Sequence, residues 1–237
     1  MTDILSSSHL PQQVLGDAYE KLALFHKKLE TECEPRGIIG PRDVDIIWER
    51  HILNCAALVP FLRAELDGMT RRSSQSAQSP IVGDIGSGGG FPGIILAACM
   101  SDISFYLVEP MERRAEWLRE VVSELDLRNV TVVRARAQEV VPRKVLPELR
   151  SLMPRGFKGF DVVTCRAVAP MTKLTGMMFP LLASGGKLVT LKGKSVEAEL
   201  EKAVKEMKKY GAISPHIYEA PVAEGLESTR VLVVKKK

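Results

Sequence analysis

The stretch IVGDIGSGGGFPG at residues 81–93 constrains this chain more than any other. An apolar run enters it and helical spacing leaves it, so a β-strand must turn into a helix across a bend crowded with glycine. Without a Cβ, such a backbone can turn sharply and let a ligand come close. Pro92 suits the first turn of a helix, where its missing N–H has no intrahelical partner. A strand–glycine loop–helix unit presents helix N–H groups at the carboxyl end of a sheet, where open α/β sheets bind ligands.

The rest of the chain extends this pattern. Strand-type runs occur at Ile81–Ile85, Ser104–Glu109, Val130–Val133, Phe160–Cys165 and Lys187–Leu191, with helical stretches at 92–100, 111–126, 170–182 and 195–210. Such alternation implies crossover connections and a mostly parallel sheet covered on both faces. Ile213–Tyr218 and Thr229–Val234 are predicted to end it with an antiparallel pair. Residues 142–159, with Pro142, Pro147 and Pro154, read as a long loop with one short helix. Ahead of the sheet, residues 12–32 and 43–66 have helical spacing, with Asp43 as N-cap and Pro60 as a break or kink. The polar run DGMTRRSSQSAQSP at 67–80 reads as a flexible linker. The expected organisation is a helical extension at 1–66, the linker at 67–80 and an α/β domain at 81–237.

Charge and cysteine usage narrow the classes. Lys and Arg number 33 against 29 Asp and Glu, a net charge of +4 that permits an anionic partner without demanding one. Cys33, Cys55, Cys99 and Cys165 form no CxxC pair, so neither a zinc site nor a disulfide framework is expected. The N-terminus lacks a basic start and an apolar core of the signal-peptide kind. The longest apolar run, Ile94–Met100, is far short of the roughly 20 residues that span a bilayer. A cytoplasmic protein without membrane or metal partners is expected, with a monomer as the default.

Two ligands compete for the glycine loop. Gly88-x-Gly90-x-x-Gly93 matches the dinucleotide fingerprint, with the acid Glu109 ending the next strand. Yet the first strand ends in Asp84, and Asp84-x-Gly86-x-Gly88-x-Gly90 resembles motif I of the class I S-adenosylmethionine methyltransferases. A carboxylate beside a sulfonium or ammonium is favourable, whereas beside a pyrophosphate it is repulsive. The charge argument favours the methyl donor. That resemblance implies that Asp84 orients the methionine end, that Gly86, Gly88 and Gly90 let the loop pass close to the ligand, and that Glu109 takes the ribose hydroxyls.

Five phrases in fixed order make the resemblance narrower: WERHIL at 48–53, DIGSGGGFPGI at 84–94, RRAEWLREV at 113–121, TCRAVAP at 164–170 and SGGKLVTLKG at 184–193. Together with the TRVLVV ending, they make the chain similar to the bacterial 16S rRNA guanine-N7 methyltransferases, the RsmG/GidB family. The resemblance implies a Rossmann-like class I fold, S-adenosylmethionine as donor, and methylation of N7 of a guanosine in the 530-loop region of 16S rRNA, naked or in the small ribosomal subunit. It carries over cofactor positions Gly86, Phe91, Ala137, Gln138 and Arg166. The family residue matching Gln138 is commonly acidic; glutamine keeps a carbonyl acceptor for an adenine amino group. The segment CEPRGIIGPRD at 33–43 departs from the family's usual asparagine-leucine-threonine phrase.

Guanine N7 bears a free lone pair and no proton, so its attack on a sulfonium methyl needs alignment rather than a general base. The useful groups are donors near O6 and cations on the backbone, which turns attention to Arg136, Arg166 and Lys192, each at or after a strand end on the ligand side, with Arg113 as a possible addition. These are the candidate catalytic residues. His51 reads as a structural histidine, Trp48 and Trp117 as helix core, and the terminal KKK as a solvated run. The alternatives are a class I methyltransferase for another RNA, a protein or a small molecule, a nicotinamide-dependent oxidoreductase, and a non-catalytic RNA-binding module.

Overall fold

The computed structural model describes residues 3–72 and 79–237. Its helices are α1 (Leu10–Leu15), α2 (Tyr19–Arg36), α3 (Asn54–Ala56), α4 (Val59–Arg72), α5 (Gly93–Cys99), α6 (Glu112–Glu124), α7 (Met171–Met178) and α8 (Val196–Lys209). The strands are β1 (Ile81–Ile85), β2 (Ser104–Val108), β3 (Val130–Val133), β4 (Phe160–Thr164), β5 (Leu182–Lys192), β6 (Ala212–Ala220) and β7 (Thr229–Lys236). They form one sheet in the order β3-β2-β1-β4-β5-β7-β6. The strands β1 to β5 pair in parallel, and β7 runs antiparallel between β5 and β6. This is the expected mostly parallel sheet with a reversed C-terminal strand.

Side-chain alternation gives the sheet two buried faces. Phe105, Leu107, Val231 and Val233 face one core, with α5 and α6. Tyr106, Val108, Leu232 and Val234 face the other, with α7, α8 and the β3–β4 connection. Gly83 is required in β1 because a Cβ there would lie 2.7 Å from the Phe160 ring of neighbouring β4.

The N-terminal helices complete the first core rather than building their own. Leu22, Phe25, Leu29, Ile47, Ile52 and Leu62 lie in the same apolar cluster as the sheet residues Val82 and Val162. An ion pair between Glu65 of α4 and Lys187 of β5 adds a polar tie. Asp3 pins the start of the WERHIL segment: its Oδ2 accepts from Trp48 N–H at 2.7 Å and lies 3.1 Å from His26 Nε2. Burial works against the Asp3 charge, but the His26 contact and the Trp48 and Leu5 N–H groups hold its pKa below the usual carboxylate value.

Two expectations change. The helical stretch over 43–66 is instead a 3-10 turn at Pro41–Ile46, a π-helical turn at Ile47–Leu53, then α3 and α4, with the expected break falling at 57–58, just before Pro60. Pro60 falls in the first turn of α4, where no backbone donor is lost. The linker over 67–80 does not begin at 67, because α4 continues to Arg72; positions 73–78 lie outside the described residues. The segment from Cys33 is helical to Arg36 and closes on Gly37, whose left-handed φ of 60° sends its N–H back to Cys33 and Glu34 carbonyls.

Candidate functional site

The glycine loop hangs from the carboxyl ends of β1 and β2. Gly86 N–H donates to Val108 O at 2.8 Å, and Gly90 N–H to Ser87 O at 2.7 Å. Gly86 and Gly88 have φ of 75° and 54°, the left-handed region that glycine tolerates. Gly90, at φ 104°, has no room for a Cβ, which would meet Ile94 Cγ1 at 2.6 Å. From below, Trp117 of α6 donates its indole N–H to Gly89 O at 3.1 Å. Lys28 and Arg36 of α2 lie over the same indole, 5.2 and 5.4 Å from its centroid.

Both strand-end acids brace this loop. Glu109 accepts from Gly88 N–H through Oε2 and from Met111 N–H through Oε1, each at 2.9 Å. Each oxygen retains a second acceptor site. Asp84 is fully buried under the loop, and its Oδ2 accepts from Gly93 N–H at the start of α5, at 3.0 Å. Its Oδ1 has no partner among the described residues. Burial pushes the Asp84 carboxyl up to about 7, against the Ser87, Gly93 and Arg166 contacts that favour its charge. A bend edged by two carboxylates, one with an unmatched oxygen, suits a cationic ligand. A pyrophosphate there would face both acids, with Arg114 as the cation beside Gly88.

Next to the loop opens a cavity of about 950 Å³, walled by the segment after β4, the end of β5 and the WERHIL turn. Arg166 is its most constrained cation. Its Nη2 lies 2.5 Å from His51 Nδ1, its Nη1 donates to Arg50 O at 3.0 Å, and its guanidinium lies 4.9 Å from the Phe91 ring centroid. His51 stacks on the same ring at 4.8 Å, and its Nε2 lies 3.3 Å from Asp43 Oδ2. Burial, with Arg166 next in weight, drives the His51 pKa down to about 4, so the ring is neutral at pH 7. Lys192 reaches the cavity from β5 with its ammonium 2.8 Å from Glu199 Oε2 and 3.4 Å from Ala169 O.

Not all candidates meet. Arg166 and Lys192 share the cavity. Arg136, Ala137 and Gln138 follow β3, the edge strand, three strand spacings from β4, or about 14 Å. Arg136 and Gln138 are exposed there and Ala137 is half-buried. Arg113 is exposed on α6, away from that cavity. Sequence reasoning did not single out Asn54 or Glu199, which line the cavity, and it read Asp43, another lining residue, as an N-cap, whereas Asp43 lies inside the Pro41–Ile46 turn that Gly40 precedes. Asn54 follows directly on WERHIL, which was a usable signal; nothing marked Glu199. Trp48 and Trp117 are buried as expected.

The family model described as GidB, rRNA small subunit methyltransferase G, matches residues 18–223. The chain belongs to this family. It is 50% identical to the "Ribosomal RNA small subunit methyltransferase G" of Bifidobacterium longum (strain DJO10A), over all of both chains. It is 51% identical to the protein of that name from Bifidobacterium adolescentis, covering all of this chain and 97% of the relative. Among solved structures it resembles the METTL16 methyltransferase domain, with a TM-score of 0.55 at 17% identity over 93% of this chain and 80% of that one. That likeness concerns the fold alone. As a GidB-family member the chain is an S-adenosylmethionine-dependent methyltransferase, and the oxidoreductase reading falls. Among the described residues no helix is long and apolar enough to cross a membrane, and no group of three or more His, Cys, Asp or Glu is placed to hold a metal.

Proposed function

We propose that the chain transfers the methyl group of S-adenosylmethionine to N7 of a guanosine in the 530-loop region of 16S rRNA. One observation carries the chemistry: the cavity beside the glycine loop offers cations and a histidine that is already engaged. His51 is neutral, its acceptor Nδ1 is taken by Arg166, and its buried Nε2 lies 3.3 Å from Asp43 Oδ2 without a hydrogen bond. It is poorly placed to take a proton, and N7 has none to give. The reaction then depends on bringing N7 in line with the sulfonium methyl, at roughly 3–3.5 Å.

In this reading Gly86, Gly88, Gly90, Phe91, Glu109, Ala137 and Gln138 hold the cofactor, and Asp84 supplies negative field beneath its methionine end. Arg166 and Lys192 orient the guanine and its phosphates, Arg166 also bordering the cofactor. Arg136 contacts RNA at the sheet edge. The N-terminal segment that carries Asp43, Arg50, His51 and Asn54 forms the second wall of the cavity rather than a detachable unit. The same reading takes the chain to act as a monomer in the cytoplasm.

The test is mass mapping of 7-methylguanosine in small-subunit RNA from a strain lacking this protein. One 530-loop modification is expected to vanish and to return with the restored gene. A map identical to that of the parent strain would overturn the assignment.

A further inference from the structure

The connection between β3 and β4 carries an excess of charge that the methyl-transfer chemistry does not use. Residues 142–158 hold the five basic side chains Arg143, Lys144, Arg150, Arg155 and Lys158 against the single acid Glu148. That excess of four equals the formal net charge of +4 for the whole chain. The remainder of the molecule is neutral in sum.

The five side chains are exposed, while the backbone that carries them is anchored. Val145, Leu149 and Met153 are buried in the second core beside Phe160, and Phe157 meets the Phe160 ring edge-on at 5.0 Å. Backbone hydrogen bonds brace the path: Leu146 N–H closes a wider loop onto Glu139 O, and tight turns link Met153 N–H to Arg150 O and Phe157 N–H to Pro154 O. Arg143, Arg150 and Arg155 converge on a hollow of about 320 Å³ that Val145, Met153 and Phe157 also line. Elsewhere, Lys28, Arg134 and Arg230 each pair with a glutamate. Arg143 and Arg150 have no carboxylate partner among the described residues. The like charges of Arg143 and Arg150 on one hollow repel each other, and an anion between them relieves that repulsion.

We infer that this hollow is a second RNA anchor, a seat for a backbone phosphate with its ribose against the apolar floor. It lies apart from the cavity that contains Arg166. The connection starts just after β3, the edge strand of the sheet. The inference rests on the rRNA reading above and names where that substrate is gripped.

Steady-state methylation of 16S rRNA and of isolated small subunits tests it, comparing the wild-type chain with Arg143→Glu/Arg150→Glu and Arg143→Lys/Arg150→Lys. The charge reversal is expected to raise KM for RNA roughly tenfold or more with kcat and S-adenosylhomocysteine affinity unchanged. The slope of log KM against log salt is expected to flatten by about 1.4, as for two lost single-strand phosphate contacts. The lysine pair should return KM to near the wild-type value. If the reversed variant does not fold, Arg143→Gln/Arg150→Gln takes its place with the same readouts. Wild-type KM and salt slope in the reversed or glutamine variant overturn this inference alone. Absence of RNA methylation by the wild-type chain overturns the function itself. Inorganic phosphate binding here without any effect of the variants on RNA would mark an anion site only and overturn the RNA anchor.

Discussion

Nη2 of Arg166 lies 2.5 Å from Nδ1 of His51, so the cation at the tip of β4 is held by an imidazole that arrives from the N-terminal helices. The contact requires an acceptor at Nδ1, hence a neutral ring with its proton on Nε2, facing Asp43. The Arg166 fork also reaches Arg50 O and lies over Phe91, an arrangement only a planar group with several donors can make.

Arg166→Lys keeps the charge but cannot keep this arrangement. It is expected to lower single-turnover methylation of small subunits by roughly 100-fold, the scale of losing one preorganised donor, with little change in melting temperature. A wild-type rate in the lysine variant would remove Arg166 from the chemistry.

His51 predicts an acid sensitivity. Its pKa falls from 6.5 in the unfolded chain to about 4 in the fold, so below 6.5 the unfolded chain binds the extra proton. The stability linked to this group is whole above about 6.5 and is lost as pH falls toward 4, to a ceiling of about 3 kcal/mol. Denaturant titrations at pH 7 and pH 5 measure it. His51→Phe should flatten this part of the profile; a variant with the wild-type slope would show that another group causes it.

Asp84 has the opposite sign. Its folded pKa of about 7 exceeds the usual 3.8, so its contribution to stability is whole below 3.8 and is lost as pH rises through 7. A cationic ligand favours the ionised carboxylate, so cofactor binding near pH 6.5 is expected to release a proton. Calorimetry in buffers of different ionisation enthalpy reads this directly. Asp84→Asn should abolish the release and weaken binding about tenfold, the equivalent of one pKa unit. Wild-type binding without buffer dependence would rule the idea out.

The sheet and its ligand edge were legible because glycine, proline and apolar runs report backbone geometry locally. The glycine loop and Glu109 stood out by spacing, while Asp84 was picked out by the resemblance to motif I. Arg136 illustrates the limit. Its place after a strand could be read, but strand order depends on long-range pairing, and β3 turned out to be the sheet edge, far from Arg166. The π-helical turn at Ile47–Leu53 was invisible for a similar reason, since side-chain spacing hardly separates it from an α-helix over seven residues. The end of the linker reading at Arg72 reflects α4 lengthening beyond its apolar residues. The basic connection after β3 showed as a loop, but its hollow arises only where Val145, Leu149 and Met153 fold under it.

The indole of Trp117 acts as a shim. One of its contacts sets the height of Gly89, and two cations from α2 press on its ring. Anyone seeking a minimal enzyme by cutting the gene just before β1 would lift that weight and bare the greasy underside of the sheet at once. Such a fragment should have trouble keeping the donor's cradle in shape, and the accessory-looking first third of the chain is in that sense part of the catalytic apparatus.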